Sequence, residues 1–577
     1  MEGNAVLSVL NAKYVHLSPA PWCLAAGVLA FAPELYERVR IVEGNINQAD
    51  DEMLSRILAE RPALVGFSCY IWNITKTLTL CRRLREALPG VLIVLGGPEV
   101  SYCAGEVLRE NPAVDFVLAG EGEESFPALL RAVLKEGAER PIPPEASQNI
   151  SGLSYRTPDG GIIERPPCHL TGSVPSPLTA GYAEAVRGRI AYIETSRGCP
   201  YRCAFCLSGG EKPRYFEMDP LFGDLLKLAK SGARTIKFVD RTFNANPEHC
   251  NEILRFILAR YGREIPEGAC FHFEIAGDIL REETFGLLEQ MPPGAVQLEI
   301  GMQSFHEKTL EAIRRKTDTA RLEENIRRLV DMGRMHIHID LIAGLPFEDL
   351  PTFAGSFNTA YSLGAHNLQL GFLKLLHGSA MRTERDKYPC RFHETPPYEV
   401  IRTPWLTEGD IRLLHRTENA LEKVYNSGRF RTAAAYVLGV CGMTPFDLYT
   451  GLGEAIEQAG MARGAALDDF TALFKDFCEN LPGVDRETLR DAMVQDRLAT
   501  NSTGGLPPCL IRQDEQLTRA VKWLSKNPET APRRGVRRGA AILYGAGTLC
   551  WADYDPKARS PVTGRWPLRE IPLEVLP

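Results

Sequence analysis

Short apolar runs alternate with segments of helical spacing in the first part of the chain. Residues 53–59 and 77–88 repeat their apolar positions every three or four residues, which is typical of an amphipathic helix. Strands and helices alternating at this rhythm predict a doubly wound, Rossmann-like parallel sheet of about five strands. The predicted strands are residues 5–10, 39–42, 64–68, 92–95 and 116–119.

Polar or glycine-rich tips follow four of these strands. They are residues 11–14, 70–73, 96–99 and 120–123. In an open α/β sheet, ligands bind outside the carboxyl ends of the strands, where such tips gather. We therefore expect a binding site at this edge of the sheet.

A second alternating region runs from about residue 190 to 380. Its predicted strands are residues 191–195, 235–239, 271–275, 296–301, 336–342 and 368–373. Six units, rather than the eight of a closed barrel, predict a partial (β/α)6 barrel with an open side. Beyond about residue 400 the pattern becomes mainly helical, at 408–425, 467–479 and 485–493.

The expected fold class is therefore α/β, with three domains and a linker. We predict a Rossmann-like domain at 1–137, a proline- and glycine-rich linker with one hairpin at 138–188, the partial barrel at 189–385 and a mainly helical extension at 386–577.

Composition narrows the class of protein. The 577 residues are 44% hydrophobic and 24% charged, which is typical of a globular protein, and the net charge of −7 argues against a globally basic nucleic-acid binder. The basic run 533–538 is interpreted as a solvated face.

The apolar stretch 22–32 is too short to span a membrane, and the N-terminus lacks the features of a signal peptide. We expect a cytoplasmic protein whose fifteen cysteines are mostly reduced, with Cys441, Cys478, Cys509 and Cys550 as ordinary buried thiols.

Three cysteines lie close together directly after the first predicted barrel strand. Cys199, Cys203 and Cys206 are separated by three and then two residues. Thiolates at this spacing suit a soft metal centre, and a [4Fe–4S] cluster held by three of them keeps one iron open for a small chelating molecule. The alternatives are three unrelated buried thiols or a zinc loop, but zinc usually needs a second ligand pair, and no nearby Cys or His pair supplies it.

The motif Cys-x3-Cys-x-Phe-Cys resembles that of the radical S-adenosylmethionine (SAM) enzymes. The resemblance implies that SAM chelates the open iron through its methionyl amino and carboxylate groups. It also implies that one electron from the cluster cleaves SAM to a 5′-deoxyadenosyl radical, which abstracts hydrogen from a substrate. In such enzymes the protein supplies position and excludes water.

Further residues resemble the subgroup typified by oxygen-independent coproporphyrinogen oxidase. The resemblance implies that Glu274, Gln303 and Asp340 contact SAM, with Gln303 and Asp340 at the ribose. Arg315 matches the arginine that binds the methionyl carboxylate, with Arg314 as its rival because the sequence does not decide the helix phase. Phe205 is the expected aromatic neighbour of the adenine. Amide and acidic acceptors suit ribose hydroxyls, and a guanidinium suits a carboxylate.

A doubly wound domain in front of such a barrel resembles the cobalamin-binding radical SAM enzymes. The resemblance implies that the strand tips contact a corrin, where small residues let the backbone approach closely. The implied cobalamin contacts are Asn11, Ser68, Tyr70, Gly96, Gly97, Gly120, Glu121 and Gly122.

One departure concerns the cobalt. No histidine follows an aspartate by two positions, so the Asp-x-His-x-x-Gly motif of histidine-ligated cobalamin is missing from the sequence. Tyr70 and Trp72 are candidates to face the cobalt by their loop position. The alternative is a Rossmann-like domain that binds no corrin.

The sequence thus predicts a cobalamin-dependent radical SAM enzyme that methylates an unactivated carbon, supplied with electrons by a carrier such as flavodoxin or ferredoxin. Catalytic residues other than those that bind cofactors are not assigned. One alternative is a cobalamin-dependent radical rearrangement or ring contraction. A second is a tRNA methylthiotransferase, which needs a further three-cysteine domain. A third, from another class, is a non-catalytic iron–sulfur or cobalamin sensor.

Overall fold

The N-terminal part of the chain forms the predicted doubly wound sheet. The computed structural model describes residues 3–135, 149–170, 172–527, 530 and 532–575. The first five strands are β1 (Asn4–Asn11), β2 (Val39–Asn45), β3 (Pro62–Ser68), β4 (Leu92–Gly96) and β5 (Phe116–Leu118). The helices are α1 (Ala20–Phe31), α2 (Asp50–Ala59), α3 (Ile74–Ala87), α4 (Ala104–Glu110) and α5 (Gly122–Leu130).

These strands are parallel and lie in the order β2-β1-β3-β4-β5. All seven residues of the central strand β3 are buried, because helices cover both faces of the sheet. The carboxyl ends of β1, β3, β4 and β5 carry the predicted tips.

The linker contains the expected hairpin, which extends the first sheet. Strands β6 (Leu153–Arg156) and β7 (Ile162–Ile163) are antiparallel, and β6 pairs with β5. A short helix, α6 (Tyr182–Ala185), follows. The proline-rich stretch 139–147 and the predicted boundary at 137/138 lie outside the described residues.

The second region forms the predicted six-stranded partial barrel. Its strands are β8 (Ile190–Ile193), β11 (Thr235–Phe238), β12 (Phe271–Ile275), β13 (Val296–Gln303), β14 (His336–Ala343) and β15 (Asn367–Phe372), and a small hairpin, β9 (Ser196–Cys199) and β10 (Glu211–Tyr215), follows β8. The helices are α7 (Met218–Lys230), α8 (Pro247–Arg260), α9 (Glu282–Gln290), α10 (Glu307–Ala312), α11 (Thr319–Asp331), α12 (Leu350–Ser362) and α13 (Ala380–Thr383). The sheet is parallel, with β8 and β15 at its two edges.

Alternation along the barrel strands explains which side chains face the interior. In β13 the apolar residues Val296, Leu298, Ile300 and Met302 are buried, and the intervening polar or small residues are half-buried. The same alternation runs through β14. Successive side chains of a strand point to opposite faces, so the apolar set packs against the outer helices and the polar set lines the barrel.

The C-terminal region is mainly helical, as predicted, but it ends in an antiparallel sheet that the sequence did not predict. It begins with the strands β16 (Arg391–Phe392) and β17 (Val400–Arg402). The helices are α14 (Glu408–Leu421), α15 (Arg431–Val440), α16 (Pro445–Gln458), α17 (Leu467–Glu479), α18 (Arg486–Thr500) and α19 (Glu515–Lys526). The final sheet is formed by β18 (Arg538–Leu543), β19 (Thr548–Asp553) and β20 (Arg569–Pro572). No helix in the described part of the chain has the length and apolar character needed to cross a membrane.

Both edges of the partial barrel are covered by neighbouring segments. At β8, the Ile190 amide donates to the Val15 carbonyl at 2.8 Å. At β15, the Asn426 side chain accepts from the Leu368 amide at 3.0 Å and donates to the Leu368 carbonyl at 2.9 Å. The Asn426 amide therefore replaces a neighbouring strand, and an edge that could pair with another chain is blocked.

A buried carboxyl group supports the carboxyl edge of the barrel behind β13. Glu348 is fully buried and accepts hydrogen bonds from Ser304 at 2.6 Å and from Ser356 at 2.9 Å. Burial raises the pKa of Glu348 to about 7, although the two hydroxyl groups oppose the shift.

We expect Glu348→Gln to remove a pH dependence of stability. A carboxyl whose pKa is about 7 when folded and ~4.3 when unfolded stabilises the fold fully below about pH 4, and this contribution is lost as the pH rises to about 7. The wild type should lose roughly 2–4 kcal/mol of unfolding free energy over this range relative to the variant. Urea midpoints across the range measure it, with the exposed Glu394→Gln as the control. Equal pH slopes for wild type and Glu348→Gln would contradict the assignment.

Candidate functional site

The three predicted cluster cysteines lie on one turn at the carboxyl end of β8. Cys199 ends β9, and the Cys206 amide donates to the Cys203 carbonyl at 3.1 Å within the turn. Cys199 and Cys203 are buried, and Cys206 is half-buried. The Ala204 amide donates to the Ile313 carbonyl, and the Ala204 carbonyl accepts from the Met381 amide, both at 2.9 Å. The turn is therefore fixed to the segments that follow α10 and begin α13.

The spacing of the three thiols does not match a mononuclear site. Among the described residues, the one group of three ligating side chains whose donor atoms all lie within 4.8 Å is Glu299, His338 and Asp340. Zinc holds sulfur ligands at about 2.3 Å and so needs sulfur atoms nearer to one another than that limit. The wider arrangement suits a polynuclear iron–sulfur centre better than the zinc alternative.

Arg315, and not Arg314, reaches the cysteine turn. The Arg315 Nη1 donates to Cys203 Sγ at 3.6 Å, and its Nη2 donates to the Gly301 carbonyl. Arg314 instead pairs with Glu384 at 2.6 Å on the outside of the barrel. Burial raises the pKa of the Cys203 thiol, and the Arg315 guanidinium opposes this rise. Neither arginine lies on the helix that the sequence predicted, because α10 ends at Ala312, and the turn that follows it brings Arg315 to the cysteines.

Gln303 and Asp340 lie near the carboxyl ends of neighbouring strands, and Gly301 pairs with Asp340 across β13 and β14. The Gln303 Oε1 and the Arg315 Nε are buried, and neither has a hydrogen-bond partner among the described residues. Gln303 also has a positive φ of 71°, which is strained for a residue other than glycine. Buried polar atoms are nearly always paired, so these two orphan atoms and the strained backbone beside them fit a polar ligand at this edge of the barrel.

Glu274 and Asp340 each have a charged partner inside the barrel. Glu274 lies 3.1 Å from the Lys237 ammonium, and Asp340 Oδ1 lies 3.0 Å from His338 Nε2 at ion-pair distance without hydrogen-bond alignment. The pKa of His338 is raised by Asp340 although burial lowers it. Any ligand that these two carboxylates bind must share them with Lys237 and His338.

Lys237, His272, Glu299 and His338 were not identified in the sequence, although strand alternation carried the signal. The Lys237 ammonium and the His272 Nε2 both lie 2.9 Å from Glu299 Oε2. Burial acts against ionisation of Glu299, but the His272 hydrogen bond and the Lys237 charge lower its pKa to about 2. The group Glu299, His338 and Asp340 therefore already has cationic partners.

One large cavity lies between the first sheet and the cysteine turn. Its volume is about 1390 Å³, and Phe205 and Cys206 of the turn form part of its wall. The residues predicted to bind cobalamin all line it, namely Asn11, Ser68, Tyr70, Gly96, Gly97, Gly120, Glu121 and Gly122. Gln303, Arg315 and Asp340 lie outside this lining. The structure therefore separates the predicted SAM contacts from the predicted cobalamin contacts, with Phe205 on the cavity side.

Two of the glycines on this wall also have a structural reason to be glycine. Gly97 and Gly120 have φ values of 105° and 89°. A Cβ on Gly97 would lie 2.5 Å from the Cys69 carbonyl oxygen, and one on Gly120 would lie 2.3 Å from that of Cys168. Close backbone packing explains both residues without a ligand, whereas a Cβ on Gly96 would meet one atom, at 3.4 Å.

The aromatic pair on the cavity floor offers no obvious cobalt ligand. The rings of Tyr70 and Trp72 stack with centroids 4.4 Å apart. Burial raises the pKa of Tyr70, and its hydroxyl lies 3.2 Å from Ser18 Oγ. An indole nitrogen is a donor only, and Trp72 Nε1 donates to the Leu10 carbonyl at 3.3 Å. Trp72 therefore offers no ligand to cobalt, and the Tyr70 hydroxyl already has a hydrogen-bond partner.

A charged cluster at the rim of the cavity was also missed in the sequence. Arg197 lies 2.5 Å from Glu123, 2.8 Å from Glu194 and 3.3 Å from Glu121, and Glu121 also pairs with Arg214. The Leu170 amide donates to Glu121 Oε2 at 2.9 Å. The Glu121 carboxylate is therefore occupied by protein groups, although the residue lines the cavity.

Comparison with known families divides the chain into three segments. Residues 18–130 match the B12 binding domain, residues 193–358 match the radical SAM superfamily, and residues 386–532 match a family described as a protein of unknown function (DUF4080).

The chain is also similar to individual proteins. It is 27% identical over 321 residues to 2-(S-pantetheinyl)-carbapenam-3-carboxylate methyltransferase of Streptantibioticus cattleyicolor, covering 53% of this chain and 46% of that protein. It is 25% identical over 334 residues to the cobalamin-dependent radical SAM methyltransferase TokK of Streptomyces tokunonensis, covering 56% and 48%. The chain thus spans about half the length of these curated relatives.

A solved structure shares the fold over most of the chain. This is the cobalamin-dependent S-adenosylmethionine radical enzyme OxsB with aqua-cobalamin and S-adenosylmethionine bound, which has a TM-score of 0.56 and 13% identity and covers 86% of this chain and 79% of that one. The domain matches and this shared architecture agree with the two sheets and the cysteine turn described above. The chain therefore combines a segment that matches the B12 binding domain, a segment that matches the radical SAM superfamily and a C-terminal segment that matches DUF4080.

Proposed function

We propose that this protein is a cobalamin-dependent radical SAM enzyme that methylates an unactivated carbon. The observation that carries the proposal is the single cavity whose wall joins the strand tips of the first sheet to Phe205 and Cys206 of the cysteine turn. A methyl donor and a radical generator must lie side by side for such a transfer, because the reacting atoms have to meet within a few ångströms. The two curated relatives described above are both named as methyltransferases, which supports the proposal.

In this proposal Cys199, Cys203 and Cys206 hold a [4Fe–4S] cluster, and Arg315, Gln303, Glu274 and Asp340 hold SAM. Arg315 is suited to the methionyl carboxylate because a guanidinium binds a carboxylate through paired N–H donors. Gln303 Oε1, which is buried without a partner, is suited to accept from a ribose hydroxyl. When bound, the two cofactors supply radical generation and the methyl group. The residues of this chain bind and orient them.

The cobalamin is proposed to occupy the large cavity. Polar and small residues of the strand tips line one side, and Val94, Leu118 and Phe126 form an apolar slot between the sheet and α5. A corrin needs a broad and partly apolar surface, and Tyr70 and Trp72 contribute aromatic side chains to the cavity floor. With no nitrogen ligand on that floor, we propose that the cobalt has no protein ligand from Tyr70 or Trp72.

Two associated proposals concern the electron donor of the cluster and the cellular location of the protein. The reaction needs an electron for the cluster, and a small carrier such as flavodoxin or ferredoxin is the proposed donor. All fifteen cysteines are free thiols, which accords with a reducing, cytoplasmic environment.

We expect a Cys199→Ala, Cys203→Ala, Cys206→Ala variant to lose its iron but keep its corrin. Anaerobic reconstitution followed by iron analysis and absorption spectroscopy measures both, because the three thiolates are the proposed metal ligands, whereas the strand tips of the first domain, which line another part of the cavity, are unchanged. The buried Cys250→Ala variant, on α8, is the matched control and should keep both. Iron that persists in the triple variant would contradict the cluster assignment.

We expect Arg315→Ala to weaken SAM binding while the iron content stays constant. Losing a charge-assisted contact costs ~1.5–3 kcal/mol, or roughly 10- to 100-fold in affinity. Equilibrium binding of SAM to the reconstituted protein measures the change. Arg314→Ala is the control, since Arg314 pairs with Glu384 outside the barrel. A parallel loss of iron would show that Arg315 acts on the structure of the turn instead.

We expect Gly96→Val to reduce corrin retention on gel filtration. A Cβ at this position would meet one nearby atom of the protein, at 3.4 Å, and the added methyl groups stand on the wall of the cavity. Gly90→Val, at an open surface position, should retain corrin like the wild type. Equal retention by both variants would place the corrin elsewhere.

Measuring the product of SAM cleavage distinguishes the proposed enzyme from the alternative of a non-catalytic sensor. A reduced, reconstituted enzyme should release 5′-deoxyadenosine from SAM, whereas a sensor should not. Failure of the wild type to retain corrin while the cluster is intact would exclude methyl transfer.

A further inference from the structure

Arg197 is the centre of a charged cluster that spans the two cofactor regions. Its guanidinium contacts Glu121 and Glu123 from the first domain and Glu194 from the end of β8. The side chain of Arg197 is 14% exposed and that of Glu123 is 5% exposed. Burial lowers the pKa of Arg197, but the charges of Glu194 and Glu123 raise it by more than burial lowers it. An arginine so enclosed by carboxylates therefore stays charged.

The two ends of this cluster belong to the two proposed cofactor sites. Glu121 and Glu123 follow β5 in the tip that forms part of the cavity wall. Arg197 lies on β9, two residues before Cys199, which ends the same strand. The contacts therefore join the wall of the corrin cavity to the strand that carries the first cluster ligand.

The cluster resists displacement because each group would lose a partner. Three carboxylates face the guanidinium groups of Arg197 and Arg214, and Glu121 contacts both. Breaking one member away from a buried ion pair leaves an uncompensated charge, which costs several kcal/mol. The guanidinium group of arginine is a rigid fork, so its contacts fix the direction of a carboxylate as well as its distance.

We propose that Arg197 is a positioning residue that fixes the distance between the corrin cavity and the cysteine turn. This inference rests on the proposed function, since it assumes a corrin in the cavity and a cluster on the turn. Arg197 acts through Glu121 and Glu123, and like them it lines the cavity.

The chain contains a matched control for this role. Arg189 also joins the barrel to the first domain, through Glu43 at 3.0 Å and through the carbonyls of Tyr14 and His16 at 2.9 and 2.7 Å. It precedes β8, at the end of that strand opposite to the cysteine turn. Losing Arg189 removes contacts between the two domains from a residue that does not itself line the cavity, although it also holds the backbone of His16, which does.

The experiment compares Arg197→Gln, Arg197→Lys, Glu123→Gln and Arg189→Gln in the reconstituted full chain without substrate. Corrin and iron contents are measured first. The magnetic dipolar interaction between paramagnetic Co(II) in the corrin and the reduced cluster is then measured by electron paramagnetic resonance. This interaction depends on the separation of the two centres and not on activity.

We expect the wild type and Arg189→Gln to show one well-defined interaction. Arg197→Gln should show a shifted or broadened one with corrin and iron retained, and Glu123→Gln a smaller change of the same kind. Arg197→Lys keeps the charge but not the forked contacts, so it should lie between Arg197→Gln and the wild type.

The outcomes separate this inference from the proposed function. An unchanged interaction in Arg197→Gln, or an equal change in Arg189→Gln, overturns the positioning role while the proposed function stands. A wild type that fails to retain corrin or cluster overturns both. If Arg197→Gln does not fold, Glu123→Gln and Arg197→Lys decide, and a wild-type interaction in both overturns the role.

Discussion

The arrangement of this protein depends on one constraint, which is that two parallel sheets present their carboxyl ends to the same cavity. Each sheet alone would leave its strand tips open to solvent. Their approach buries the carboxylates of Glu121, Glu123 and Glu194 around Arg197. Such ions contribute little net stability compared with apolar residues of the same size, but a separated pair is strongly penalised. The cluster therefore specifies the relative placement of the two domains more than it stabilises either of them.

The interior of the barrel follows from the same geometry. Closed barrels usually fill their centre with layers of branched apolar residues. Here β11 to β14 point Lys237, His272, Glu299 and His338 inward, and Lys237 and His272 both contact the Glu299 carboxylate. A polar, ion-paired interior suits a barrel with an open carboxyl end, because the orphan groups Gln303 Oε1 and Arg315 Nε lie at that end. The paired layer holds the strands in place, and the unpaired edge is where a polar ligand can be bound.

Sequence reasoning predicted the local features and missed those that depend on distant partners. All eleven predicted strands of the two parallel sheets are present, since period-two burial and apolar runs are local signals. The sequence could not decide whether Arg314 or Arg315 reaches the cysteines. Helix α10 ends at Ala312, and the turn that follows it sets the direction of each side chain. Arg197 was missed because its partners are up to 76 residues away in the sequence. The sheet β18-β19-β20 was missed since short strands near helices carry weak periodicity.

The first domain and the C-terminal region each contact one edge strand of the barrel. The segment before Ile190 is paired by Val15 from the first domain, and the opposite edge is paired by Asn426 from the C-terminal region. Tyr398 in the C-terminal region donates to the buried Glu99, which follows the glycine tip after β4. The C-terminal region therefore contacts both the β15 edge of the barrel and a strand tip of the first domain, although Glu99 itself does not line the cavity. Because an uncovered β15 would present free backbone groups to other chains, the contact of Asn426 with Leu368 protects part of this edge, and the contact of Tyr398 with Glu99 joins the extension to the first domain.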